Sequence, residues 1–212
     1  MSLSTQNRTA VVNKIVQDIA QTIDWSTLPD VTAWVIEQCV AVQQIPAPTF
    51  DEATRAAYVA TQFEALGLEN IHTDDTENVY GIFPGADRSQ PGLMIAAHTD
   101  TVFSAETDLA VSRDDEKIYG PGIGDNSLGV AGMLGIAQMF RELDYTPPCD
   151  LHFVATTREE GLGNLDGMRA AFEQVKAAVA GVINIEGLAL GFVYNAGIAV
   201  RRFKITANAD GG

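Results

Sequence analysis

Basic residues, cysteines and long apolar stretches are all scarce in this 212-residue chain, and each shortage removes a class of function. Only 13 lysines and arginines stand against 28 aspartates and glutamates, for a formal net charge of −15. Nucleic acid and anionic membrane surfaces are therefore poor partners, because nothing supplies the basic face they require. The two cysteines, Cys39 and Cys149, lie far apart in sequence, so neither a disulfide framework nor a thiolate zinc site is indicated. Two lone buried thiols in a reducing cytoplasm are expected, with a single bridge as the alternative. No run approaches the ~18 apolar residues of a membrane span. The polar start MSLSTQNR lacks an apolar signal segment. A soluble cytoplasmic protein is the expectation.

What the chain does have is apolar content, 46% of its residues, enough for a large core. Its length fits one large α/β domain, or a domain with part of a second. Residues 8–24 place Val11, Val12, Ile15, Ile19 and Ile23 on one helical face. Asp30 is a candidate cap for a second helix through about Val42, ended by the prolines of IPAPT. Residues 51–66 read as a third helix, stopped by Gly67. Short strands are expected near 69–73 and 78–83, around the acidic turn TDDTEN. Residues 104–117 read as a surface excursion. A helix over 127–143, with Ser127 as a plausible N-cap, is apolar nearly all round, and its glycines Gly129, Gly132 and Gly135 suggest close packing on a sheet. A helix near 165–178 then joins strands at 151–157 and 181–186. The alternation of strand and helix predicts an α/β fold, a three-layer αβα arrangement around a mostly parallel sheet.

Three apolar runs end in residues that bind divalent metals. LMIAAHTD stops at His98 and Asp100, LHFVATTREE at Glu159 and Glu160, and GVINIE at Glu186. Such runs read as buried parallel strands, and ligands of open α/β sheets collect at the carboxyl ends of strands. Carboxylates gathered at one such edge would repel one another unless a cation lay between them. Asp100, two residues beyond His98, falls on the same side of the strand, where it could accept the second ring N–H of His98 or anchor the loop. Adjacent Glu159 and Glu160 project differently, which suits one carboxylate on a metal and the other handling a proton. Glu186 without a partner would carry a large desolvation penalty.

Asp125 sits in the glycine-rich GPGIGDNSLG. A nucleotide-binding α/β protein is the third reading, but neither dinucleotide nor P-loop spacing is met there, and the glycines are expected to let Asp125 point at a cation. His72 and His152 fit structural or solvent-facing roles. Imidazole and carboxylate ligands without thiolates suit zinc, with manganese or cobalt as alternatives.

These residues, in this order, resemble the co-catalytic zinc amidohydrolase and exopeptidase family that includes aminoacylase, glutamate carboxypeptidase, succinyl-diaminopimelate desuccinylase and the tripeptidases. The matching pieces are IPAPTFDEATRAAY, AAHTDTV, GPGIGDNSLGVAGML, TTREEGLGNL, INIEG and RRFKITANADGG. The resemblance implies that His98 and Glu186 hold one metal and Glu160 the other, with Asp125 bridging them. It makes Glu159 the general base and Asp100 the partner of His98, and it implies a cis peptide bond between Asp125 and Asn126. Two cations about 3.5–4 Å apart would lower the pKa of a bridging water towards roughly 7. Glu159 would accept its proton as the hydroxide attacks the amide of a small peptide or N-acyl amino acid, then pass it to the leaving nitrogen.

The family pattern also includes a further histidine ligand late in a longer chain and an inserted lid or dimerisation domain, which family homodimers use. The 212 residues are accordingly expected to comprise the first part of a catalytic domain, residues 1–198, and the first strand of a truncated lid, residues 199–212. A chain so divided would bind metal weakly and turn over poorly. The competing expectation is a catalytically incomplete metal- or peptide-binding fragment of such an enzyme.

Overall fold

The computed structural model of the chain describes residues 5–187, 191–196 and 206. Its elements run α1 (Thr5–Thr22), α2 (Leu28–Gln43), α3 (Ala53–Ala65), β1 (Glu69–Thr73), β2 (Val79–Phe83), β3 (Gly92–His98), β4 (Ser112–Arg113), β5 (Ile118–Tyr119), α4 (Gly129–Glu142), β6 (Leu151–Thr156), α5 (Asp166–Val175) and β7 (Val179–Asn184). A kinked segment, Ile123–Leu128, leads into α4. No described helix is long and apolar enough to cross a membrane. The expected strand in residues 199–212 lies outside the described residues, apart from residue 206.

Among the described residues, five strands form one sheet in the order β1-β2-β6-β3-β7, and β4 and β5 pair as a separate hairpin within the expected excursion. β3 pairs in parallel with both β6 and β7, whereas β1–β2 and β2–β6 are antiparallel. Four of the five strands therefore point the same way. From β3 the chain crosses through α4 to β6 on one side, then through α5 to β7 on the other. Right-handed crossovers in opposite directions put their helices on opposite faces. The carboxyl ends of β3, β6 and β7 consequently meet at one sheet edge.

Side-chain alternation divides the core into two layers. Ile95, Ala97, Phe153 and Ala155 pack with Val59 and Phe63 of α3 and with Val130, Met133 and Leu134 of α4. Met94, Ala96 and Val154 face Ala171 and Val175 of α5. The result is a three-layer αβα fold with a mostly parallel central sheet.

Several local expectations need correction. The α2 helix begins at Leu28 with Pro29 in its first turn, so Asp30 lies inside that turn rather than capping it. Ser127 does not cap α4. It is buried, its hydroxyl has no hydrogen-bond partner among the described residues, and Asn126 Oδ1 accepts from Gly129 N at 3.1 Å instead. Close packing at Gly135 is against a helix rather than the sheet, since a Cβ there would lie 2.4 Å from Val35 Cγ2 of α2. Nor is β7 buried: among the described residues it pairs only with β3, and Val182 and Ile183 are exposed. An apolar run shows β character but not whether a second neighbour flanks it. The apolar face of α1 likewise leaves Val12, Ile15 and Val16 exposed. Both cysteines are free, but only Cys39 is buried, where desolvation pushes its thiol up to about 11; Cys149 is half-buried.

Candidate metal centre

At the sheet edge where β3, β6 and β7 end, the chain turns away from the strands and exposes backbone groups that side chains must satisfy. Thr99 N still donates to Thr156 O at 2.7 Å and Ile185 N to Ala96 O at 2.7 Å, so the three strand ends stay in register past their last pairs. His98 closes β3, Glu159 and Glu160 follow β6 by three and four residues, and Glu186 follows β7 by two. Asp125 comes from the kinked segment before α4, whose φ/ψ values at Asp125 and Asn126 are non-helical. The peptide bond between these two residues is cis, the geometry that the resemblance implied.

His98 is the buried centre of the group, only 2% exposed. Its Nε2 lies 3.0 Å from Asp125 Oδ1 and 3.6 Å from Glu186 Oε2. Ligand atoms of His98, Asp125 and Glu160 all lie within 4.8 Å of one another. Glu186 reaches His98 but stands outside that tightest group, and its side chain, 41% exposed, also accepts from Asn184 Nδ2 at 2.7 Å. Glu186 thus has partners as well as solvent, and the penalty of an unpartnered buried carboxylate does not arise. One imidazole nitrogen with converging carboxylate oxygens, and no thiolate, fits a divalent cation such as zinc, manganese or cobalt.

Asp100 anchors the loop and also faces His98, whose Nδ1 lies 3.1 Å from the Asp100 backbone carbonyl oxygen. Its Oδ1 is 3.4 Å from His98 Nδ1. Oδ1 also accepts from Glu159 N at 2.9 Å, while Oδ2 accepts from Glu160 N at 2.9 Å and from Thr49 Oγ1 at 2.9 Å. Burial alone would raise its pKa, but the His98 contact and the two backbone donors outweigh that and hold the carboxyl below its ordinary range. Burial would likewise disfavour a charged His98. Hydrogen bonds to Asp100 and Glu186, with the negative charge of both, override it and raise the imidazole to about 10. Glu159 is raised, first by desolvation and then by the negative charges of Glu160, Glu186 and Asp100, against a lowering contribution from His98. His72, exposed and stacked on Tyr80 at 4.7 Å, and half-buried His152 are remote from this group.

The supporting residues were harder to foresee. Asn126, 1% exposed, donates from Nδ2 to Ile185 O at 2.9 Å and accepts at Oδ1 from Gly129 N and Gly187 N, each at 3.1 Å. It thereby ties the Asp125 segment to the end of β7. Gly187 makes that approach feasible, since a Cβ there would fall 1.8 Å from Gly124 O. Glu52 and Arg55 are also buried, at 0% and 2% exposure. Arg55 Nη1 donates to Thr99 O at 2.6 Å and its Nε to Ile45 O at 3.0 Å, and desolvation lowers its pKa to about 10 against the raising effect of Asp100. A sequence signal existed for this pair: Glu52, Arg55, Val59 and Phe63 share one helical face, so two charges occupy an otherwise apolar stripe.

Comparisons with known proteins agree with this architecture. No curated protein sequence matches the chain. Among solved structures, aminopeptidase PepT from Bacillus cereus superposes with a TM-score of 0.62 at 21% identity, over 73% of this chain and 43% of its own. The dipeptidase Dug1p from Saccharomyces cerevisiae gives 0.62 at 16%, covering 76% of this chain and 40% of its own. Human carnosine dipeptidase 1 gives 0.61 at 14%, covering 78% and 42%. At these identities the likeness speaks to fold, and the chain spans less than half the length of each of the three. The sequence adds what the fold does not, because the profile of peptidase family M20/M25/M40 matches residues 94–204, just over half of the chain. The chain belongs to that family.

Proposed function

We propose that this chain carries the metal-binding and proton-transfer groups of a hydrolase that cleaves a peptide or N-acyl amino acid amide bond. The observation that carries the reading is the approach of His98, Asp125 and Glu160 within 4.8 Å, with Glu186 beside His98. In this reading His98 and Glu186 serve one metal position and Glu160 a second, with Asp125 shared between them. Zinc, or manganese or cobalt in its stead, would supply Lewis acidity to the amide carbonyl and make water a nucleophile near neutral pH.

The remaining work falls to the chain's own groups. Glu159 takes a proton from the attacking water at a carboxylate oxygen and returns it to the leaving nitrogen. Its raised pKa brings the carboxyl nearer the range in which both protonation states are accessible. Asp100 orients the His98 ring and, through the N–H groups of Glu159 and Glu160, holds the base and its neighbour at fixed spacing. The similar structures include an aminopeptidase and two dipeptidases, which makes short peptides the first substrates to test.

Glu159→Gln keeps the shape of the side chain but removes the base. We expect it to retain Zn2+ binding by calorimetry and to lose turnover of a dipeptide and N-acetyl amino acid panel by about 100-fold or more. Full activity in that variant would refute the base assignment. Absence of Zn2+ binding by the unaltered chain would refute the metal centre.

A further inference from the structure

Three successive backbone N–H groups after β6 end on buried carboxylates. Those of Glu159 and Glu160 go to Asp100, as described, but the first goes elsewhere: Arg158 N donates to Glu52 Oε1 at 3.0 Å. Glu52 precedes α3, lies 106 residues from Arg158, and is completely buried. The same oxygen accepts from Phe50 N at 3.0 Å. Arg158 has φ +54° and Phe50 φ +78°, a left-handed backbone that side-chain-bearing residues seldom adopt without outside support. One carboxylate oxygen thus bridges two left-handed residues from distant parts of the chain. The Arg158 guanidinium also sits over the Phe50 ring, 5.7 Å from its centroid. Glu52 Oε2, by contrast, is buried with no hydrogen-bond partner among the described residues. A buried carboxylate held by one oxygen is a poor choice for stability alone, because the second oxygen loses its hydration without compensation.

We propose that Glu52 is a positioning residue: its Oε1 holds Arg158 in the left-handed conformation and so sets the direction in which Glu159 and Glu160 leave the end of β6. Asp100 fixes the far side of this turn and Glu52 the near side. Without Glu52, Arg158 N faces a buried cavity, the turn relaxes towards an ordinary backbone, and the two glutamates rotate together. The inference rests on the reading of Glu159 and Glu160 as groups of the metal centre, but its test does not require hydrolysis.

The test compares Glu52→Ala and Glu52→Met, which remove the acceptor, with Glu52→Gln, which keeps it, and with Val59→Ala, a core truncation on the same helix. The primary measurement is amide hydrogen exchange of Arg158, Glu159 and Glu160 by NMR in the full chain, with Zn2+ affinity by calorimetry as the second. Loss of the acceptor is expected to speed exchange at these three amides well beyond the change at other strand-end amides, and to weaken Zn2+ about 10- to 100-fold, as loss of a ligand-orienting partner does. Glu52→Gln should restore both, and Val59→Ala should lower thermal stability without selective exchange at the turn. Wild-type protection of the turn in Glu52→Ala overturns the proposal, as does the same selective loss in Val59→Ala. Should Glu52→Ala fail to fold, Glu52→Met against Glu52→Gln decides it by the same readings. Exchange is measured without substrate, so this result stands whether or not the chain turns over a peptide, and loss of Zn2+ binding by the unaltered chain would sink the metal centre separately.

Discussion

Asp100 and Asp74 hold their segments by the same device, a half-buried or buried carboxylate collecting several donors. Asp74 Oδ1 accepts from Thr76 N at 2.8 Å, Thr76 Oγ1 at 2.7 Å and Asn78 N at 3.0 Å, and Oδ2 accepts from Asn78 Nδ2 at 2.9 Å and Tyr80 OH at 2.6 Å. Burial works to raise its pKa, but the bonds from Tyr80, Thr76 and Asn78 outweigh it and leave the carboxyl lowered. A lowered folded-state pKa means stability that is fully present above the ordinary aspartate value of about 3.9 and is lost as pH falls through the depressed folded value. Asp74→Asn should therefore be less stable than wild type by on the order of 1–3 kcal/mol at pH 7. The gap should narrow at pH 3, below the ordinary aspartate value, where the unfolded chain takes up a proton that the folded carboxylate resists. Urea unfolding at the two pH values checks this; an equal gap at both would contradict the assignment. The acidic turn between β1 and β2 is thus tied into the fold, since Asn78 goes on to donate to Gly167 O at 3.0 Å and accept from Thr157 N at 3.0 Å.

Among the elements, α4 depends most on close approach. Its glycines cost helix propensity, about 1 kcal/mol each relative to alanine, and at Gly135 the compensation is contact with Val35 of α2. Gly135→Ala should destabilise the chain by about 1–3 kcal/mol despite its better propensity, because Val35 is β-branched and cannot rotate away cheaply. The double variant Gly135→Ala/Val35→Ala should recover part of that loss, a non-additivity that a denaturation cycle measures. Additive effects would show that the two residues do not press on each other. Helix and strand positions were legible here because their periodicities are local: β1, β2, β3 and α3 fall within a few residues of the boundaries that the sequence suggests. Edge or centre is not a local property, which is why β7, read from GVINIE as buried, stands at the sheet margin among the described residues, with Val182 and Ile183 exposed.

For the whole molecule the dominant quantity is charge. A net −15 concentrates unfavourable repulsion wherever carboxylates converge, and the sheet edge gathers Asp100, Asp125, Glu159, Glu160 and Glu186 around one imidazole. A cation bound there should stabilise the folded chain by mass action, about 2.7 kcal/mol at a free concentration 100 times its Kd, or a rise in Tm of roughly 5–10 °C for a domain of this size. Thermal unfolding with Zn2+, with chelator, and with NaCl at matched ionic strength reads this directly. The shift should vanish with chelator, shrink in Glu160→Ala and be absent with NaCl; an equal rise from NaCl would mean simple screening. Local patterning by itself determined the alternation of strands and helices, and with it the expectation that ligand-type residues cluster at strand ends. The three-layer arrangement then follows from the hand of the crossovers. Only the tertiary structure decided how closely His98 approaches Asp125, that Asn126 ties the start of α4 to the end of β7, and that Glu52 reaches Arg158 across 106 residues. The physical reason is that periodicity acts over one or two turns of chain, whereas these contacts depend on the packing of segments whose separation in sequence carries no signal.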